Sequence, residues 1–299
     1  MKRQQLVAII RPRDRLPQGL HAVVAADLAA VYAPQFRIGR LTRRGVLRAA
    51  ARRQRYLEEL LPEGTVLPVL PGQTLPVTEA ARMLRANAPL LGRKIADLSG
   101  KLQFQITLAI DETRALDRFA TPVGPFAPVR DMARLHDMLA AHLRDRLGAI
   151  SSDVIMLPVA DALVANAVLL VDGIAEAALH EMIAEFDAHW PEGFRFRMIG
   201  PSPAVSFASV SFQKTDAREI ARALEILDLP SPCDPAAIAT ARAAALRGAR
   251  APAEQVRMAA EIAKSAGRLA GEAAPSFHRV RFWAEGMAAT APLTLREAA

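Results

Sequence analysis

The sequence predicts an α+β chain of three parts, and three features of its 299 residues carry that prediction. Lys101–Ile110 alternates apolar and polar residues, the period of a half-buried strand. Residues 162–207 read as two strands bracketing one amphipathic helix. From Lys214 onward strands give way to Ala-rich helical patterns. The expected segments are an N-terminal α/β domain over 1–98, a central domain over 99–213, and a helical extension with a frayed tail over 214–299.

In the first part, residues 5–10 read as a strand ended by Arg11-Pro12, and residues 20–25 as a second. Asp27 is placed as the cap of a short helical turn leading into Tyr32. A helix is expected from about Leu41 to Leu61, with Leu47, Ala50, Ala51, Leu57, Leu60 and Leu61 on its apolar side. Pro62 to Gly64 stop it. Residues 65–70 form a short strand, and Pro68 puts that strand at an edge or bulge because proline donates nothing to a ladder. Thr78 is expected to cap a helix carrying Ala80, Met83, Leu84, Leu90 and Leu91, with Glu79 in its first turn. Pro89 is expected to kink or divide it.

The central part opens with the strand Lys101–Ile110. A loop with Pro122, Pro125 and Pro128 follows, then a helix through Met132, Leu135, Leu139, Leu143 and Leu147. Residues 154–157 are a strand. Residues 162–171 are apolar except Asn166, which suits a strand buried on both faces. Asp172-Gly173 break the run, and Leu179, Met182, Ile183, Phe186 and Trp190 then recur at helical spacing. Pro191 to Gly193 end that helix. Residues 194–199 form the last strand, ended by Gly200 to Pro203. Strand, helix, strand, strand, helix, strand is the order of a ferredoxin-like (βαββαβ) domain.

The third part holds three helices. Ile220, Leu224 and Leu227 mark the first. Asp234-Pro235 start the second, with proline at the first helical position, and Ile238, Ala241 and Leu246 continue it. The third begins near Pro252 and carries Val256, Ala259, Ile262, Ala266 and Leu269. Residues 277–283 read as an apolar segment whose type, helix or strand, is left open, and the last dozen or so read as frayed.

Composition narrows the chemistry. Hydrophobic residues make up 52% and aromatics only 5%, so Leu, Val, Ile and Met are expected to fill the cores. The lone cysteine, Cys233, excludes an internal disulfide or a Cys-rich metal site. No apolar run reaches the roughly 20 residues that a membrane helix needs, and the amino terminus has too short an apolar run for a signal peptide. The reading is a soluble chain. Its net charge of +7 rests on many arginines, which favour carboxylate or phosphate partners and equally fit an Ala/Arg-biased genome.

Motifs for catalysis are missing. His180-Glu181 is half of a zinc-protease motif with Ala184 at the second histidine's place, and His136 and His142 stand six apart on different helix faces. Gly200 to Ala204 lacks the second glycine of a nucleophile elbow, and an extended segment follows where a helix is required. No Gly-rich phosphate loop occurs. No enzyme, metal or cofactor is expected. The distinctive charge feature is Arg44, Arg48, Arg52 and Arg55, whose steps of three and four place them on one helix face. Arg40, Arg43 and Arg53 add to the local field. The stripe reads either as a docking surface for an acidic protein, with nucleic acid second, or as a solvated face partly neutralised by Glu58 and Glu59. Phe104, Phe194 and Phe196 are candidates for the stacking aromatics of an RNA-binding sheet, but fit core positions better.

Several spaced motifs carry a family resemblance. Leu157-Pro158, Asn166-Ala167-Val168-Leu169-Leu170-Val171-Asp172, Gly200-Pro201-Ser202-Pro203 and Ser206-Phe207 together resemble the gas vesicle protein F/L family. Gly64 to Val69 followed by Gly72 resembles a second motif of that family. Ser202 stands where the family usually has Trp and Val205 where it usually has Tyr, which bears on the aromatic surface of that loop. The resemblance covers roughly the first two thirds of the chain. It implies a cytoplasmic, gas vesicle-associated, non-enzymatic assembly protein that binds the hydrophobic shell protein and other accessory proteins. The alternative expectation is a ferredoxin-like regulatory or nucleic-acid-binding protein that uses the basic helix.

Overall fold

The computed structural model describes residues 4–34, 42–159, 163–230, 234–249, 251–269 and 277–284. Arg40, Leu41, Ala162, Cys233 and the tail expected to fray lie outside them. The described residues fall into two compact units, those up to Asp97 together with those from Ser209 to Phe282, and those from Leu98 to Ala208.

The first unit is built on strands β1 (Gln4–Ile10), β2 (His21–Ala25), β3 (Leu28–Pro34) and β4 (Leu67–Pro68) in the order β2-β3-β1-β4. The helical turn expected from Asp27 to Tyr32 is instead β3. Ala26 and Asp27 both take positive φ (52° and 59°), and Ala25 pairs with Leu28, which makes a two-residue hairpin turn. The segment is rich in Ala, a helix former, yet it is a central strand buried along most of its length. Tertiary pairing overrides local preference there. Pro68 sits on the edge strand of this sheet, as its missing N–H requires.

Helix α1 (Arg43–Leu60) packs beside β1, and α2 (Val77–Asp97) packs against β2 and β3. Thr78 lies inside α2 rather than at its cap, and α2 runs unbroken through Pro89. The last strands of the unit are β9 (Ser209–Thr215) and β10 (Phe277–Trp283), which pair with each other. Thus the apolar stretch near the end is a strand, and strands do not cease at Lys214. A parallel bridge between Val69 and Val210, with the Leu70 N–H donating to Val210 O at 2.7 Å, ties β9 to the segment after β4.

Helices α6 (Ala217–Leu227), α7 (Pro235–Arg247) and α8 (Ala253–Gly267) share one core cluster with Ala86 of α2 and Phe277 of β10. Asp234 caps α7 with Pro235 at its first position, as the sequence indicates. Asn87 is 1% exposed and clamps β10. Its amide donates to His278 O at 2.7 Å, and its oxygen accepts from the Val280 N–H at 3.2 Å.

The second unit contains β5 (Lys101–Ile110), α3 (Glu112–Arg118), α4 (Met132–Ile150), β6 (Asp153–Met156), β7 (Leu163–Asp172), α5 (Glu176–Ala188) and β8 (Phe194–Ser202). Its sheet has the order β6-β7-β5-β8 with every neighbouring pair antiparallel, the arrangement of the split βαβ unit. Leu135, Leu139, Leu143 and Leu147 of α4 and Leu179, Met182 and Phe186 of α5 cover one face of the sheet, against Phe104, Ile106, Leu108 and Ile110. Asn166 breaks the apolar run on the opposite face, where its Oδ1 accepts from the Gln105 amide at 2.9 Å. Helix α3 falls where a loop is expected; Asp111 caps it, and Ala115 is its one buried residue.

Few as the aromatics are, they gather in this unit. Phe119, Phe126, Phe186, Trp190 and Phe194 meet edge to face or tilted, with centroids 5.0–6.4 Å apart. Strand β8 continues through Gly200 and Pro201, beyond the end expected for it. Gly200 has φ of 139°, and a Cβ there would stand 2.9 Å from Gln103 O, so the close approach of β5 demands glycine. Gln103 then holds the following turn, accepting from the Ser206 N–H at 2.9 Å.

Candidate functional site

The four arginines singled out by spacing stand together on the exposed face of α1. Thr42 caps the helix, its Oγ1 accepting from the Gly45 N–H at 3.1 Å. Tyr56, Leu57 and Leu60 form the buried side. Arg13 closes the other end by donating to Leu60 O at 2.6 Å, and burial pulls its pKa below the usual arginine value against the opposing field of Glu63. With that face turned inward, Arg44, Arg48, Arg52 and Arg55 are all exposed. Among the described residues, no hydrogen bond or ion pair engages the side chains of Arg44, Arg48 or Arg55. Arg52 Nε donates to the Tyr56 hydroxyl at 3.1 Å, and its guanidinium lies 5.8 Å from that ring's centroid.

Arg48, Arg52 and Arg55 line an open groove of about 610 Å³ with Ala51, Tyr56, Glu59, Pro17 and Gln18. Glu59 is the one acidic side chain in this lining, and Glu58 accepts a hydrogen bond from Gln54 at 2.9 Å. The groove is therefore net cationic.

Other parts of the expected site fall elsewhere. Arg53 does not join the outward field. It turns inward and donates to the carbonyls of Val7 and Val69, and burial lowers its pKa to about 10. Arg40 and the Arg43 side chain lie outside the described residues. Leu47, Ala50 and Ala51, assigned to the apolar side, are exposed, Leu47 at 61%. Sequence reasoning missed Tyr56, Pro17 and Gln18 as groove walls. Tyr56, eight residues past Arg48 on the same helix, carried a helical-spacing signal, whereas the loop residues carried none.

Phe104 and Phe194 are buried in the core of the second unit and Phe196 packs against it, so none stands on the sheet face opposite the helices. His180 and Glu181 are exposed on α5. His136 Nε2 lies 3.9 Å from Glu112 Oε1, and His142 stacks edge-on against Phe126 with centroids 4.9 Å apart. Among the described residues, no group of three or more His, Cys, Asp or Glu side chains is placed to hold a metal. None of the described helices is long and apolar enough to cross a membrane.

The family model for the gas vesicle synthesis protein GvpL/GvpF matches residues 12–123 and 128–209. The chain belongs to the GvpL/GvpF family. Its role accordingly lies in gas vesicle formation. Two crystal structures have the same fold over 67% of this chain. One is the gas vesicle protein GvpF of an Anabaena species, 15% identical, with a TM-score of 0.52 over 92% of that protein. The other is GvpF of Microcystis aeruginosa, 18% identical, with a TM-score of 0.52 over 96% of that protein. No curated protein is significantly similar to this chain in sequence. The family match ends at residue 209, so α6, α7, α8 and β10 lie beyond it.

Proposed function

We propose that this GvpL/GvpF family member is a non-catalytic assembly factor that binds the gas vesicle shell protein and accessory proteins in the cytoplasm while vesicles form. The family match, which runs through both α1 and the four-stranded sheet of the second unit, is the observation that carries this reading. A shell subunit of a gas-filled wall presents apolar surface and strand edges before it is incorporated. Such surfaces self-associate unless a partner covers them. Covering them takes stoichiometric binding, with no turnover and no cofactor. The docking face we assign is the outward side of α1, with Arg44, Arg48, Arg52 and Arg55 as its contact residues.

Co-expression of the tagged chain with the shell protein tests the proposal. Affinity capture is expected to retain shell protein well above a tag-only control. Shell protein at the control level would overturn it.

A further inference from the structure

Resting on that docking reading, we infer that the outward face of α1 takes an acidic amphipathic helix from a partner protein, with its apolar row on Leu47 and Ala51 and its carboxylates on the arginines. The placement of apolar and basic residues decides the partner's chemistry. Leu47 and Ala51 are four residues apart, so they line up along the helix. Each also stands three or four positions from arginines of the stripe: Leu47 from Arg44, Ala51 from Arg48 and Arg55. An apolar row and a basic row thus run side by side, and both are exposed.

A phosphate backbone would use the arginines and leave Leu47 solvated at 61% exposure. A helix with leucines beside glutamates uses both rows, the helix-in-groove mode of recognition. From Arg44 to Arg55 the stripe extends about 16 Å at roughly 1.5 Å per residue, or three turns of an apposed helix. The groove beside it, about 610 Å³ and walled by Tyr56 and Pro17, leaves room for the partner's side chains. Planar guanidiniums pair carboxylates in bidentate fashion, and Arg48 and Arg55 have no ion pair among the described residues.

The test uses the full chain and a fluorescent helical peptide carrying a row of leucines beside a row of glutamates. The same peptide with lysines for glutamates, and a DNA duplex, serve as comparisons. The glutamate peptide is expected to bind, more weakly as salt rises. Arg48→Glu with Arg52→Glu is expected to weaken it about tenfold or more and to create binding to the lysine peptide. Leu47→Ser, which removes the apolar contact without adding charge, is expected to weaken the glutamate peptide while leaving any DNA binding unchanged, and Glu59→Gln to strengthen it. All four positions are exposed, so circular dichroism should match the parent chain.

DNA binding tighter than peptide binding, or peptide binding indifferent to the double arginine reversal or to Leu47→Ser, would overturn the inference. If the parent chain still captures shell protein in that case, the assembly reading stands and only the helix inference falls.

Discussion

Polar side chains in the core and at its margin show how single residues shape this protein. Asn87 substitutes for a neighbouring strand by exchanging hydrogen bonds with two main-chain groups of β10. His142 does less bonding and more packing, with its ring against Phe126 and Phe186. Burial holds its pKa below the ordinary histidine value; Arg146 and His189 push the same way, and Asp145 opposes. The unfolded chain therefore binds this proton more readily than the folded one. The contribution of His142 is complete above the unfolded value of about 6.5 and is lost as pH falls toward the folded value. Denaturant unfolding should show the parent chain losing more stability between about pH 7.5 and about pH 5.5 than His142→Gln does. An equal loss in both would contradict this account.

Elements differ in how plainly they wrote themselves into the sequence. Strand β5 and helix α4 declared their periods because one face of each meets a single continuous core. Helix α3 buries only Ala115, too little for a stripe, and β3 is concealed by the helix preference of its alanines. Strand β10 was illegible because its partners, Asn87 and β9, are remote in the chain. The arginine stripe could be read from spacing alone, but not that Leu47 and Ala51 would share its solvent face. That outcome depends on where α1 meets β1, which no local pattern records.

Helix α2 offers the clearest test at this scale. Pro89 sits exposed in its interior and supplies no N–H to the turn before it, yet the helix continues. Replacing it with alanine restores that donor and should raise the stability of the chain, by as much as about 3 kcal/mol in thermal or urea unfolding. A destabilised variant would show that Pro89 serves packing rather than interrupting it.

At the scale of the whole molecule, the first unit is discontinuous and the second is continuous through its four strands. Residues 98–208 carry their own sheet, two covering helices and an aromatic cluster. Expressed alone, this fragment should unfold cooperatively. Residues 1–97 alone lack the groups that receive Asn87 and Leu70, and Ala86 loses the helices that cover it. That fragment should show exposed apolar surface and regain a cooperative transition when 209–284 is supplied on a second chain. Cooperative folding of 1–97 by itself would sink the prediction.

The same discontinuity gives the nascent polypeptide a timetable. Translation at roughly 5–20 residues per second separates the first strands from their last partner by about 10–40 s. The second unit is made within that interval and is complete by its end, while the earliest-made strands wait on the ribosome with one flank unpaired. A messenger cut short before β9 would therefore yield a product whose later half is folded and whose beginning is left to chaperones and proteases.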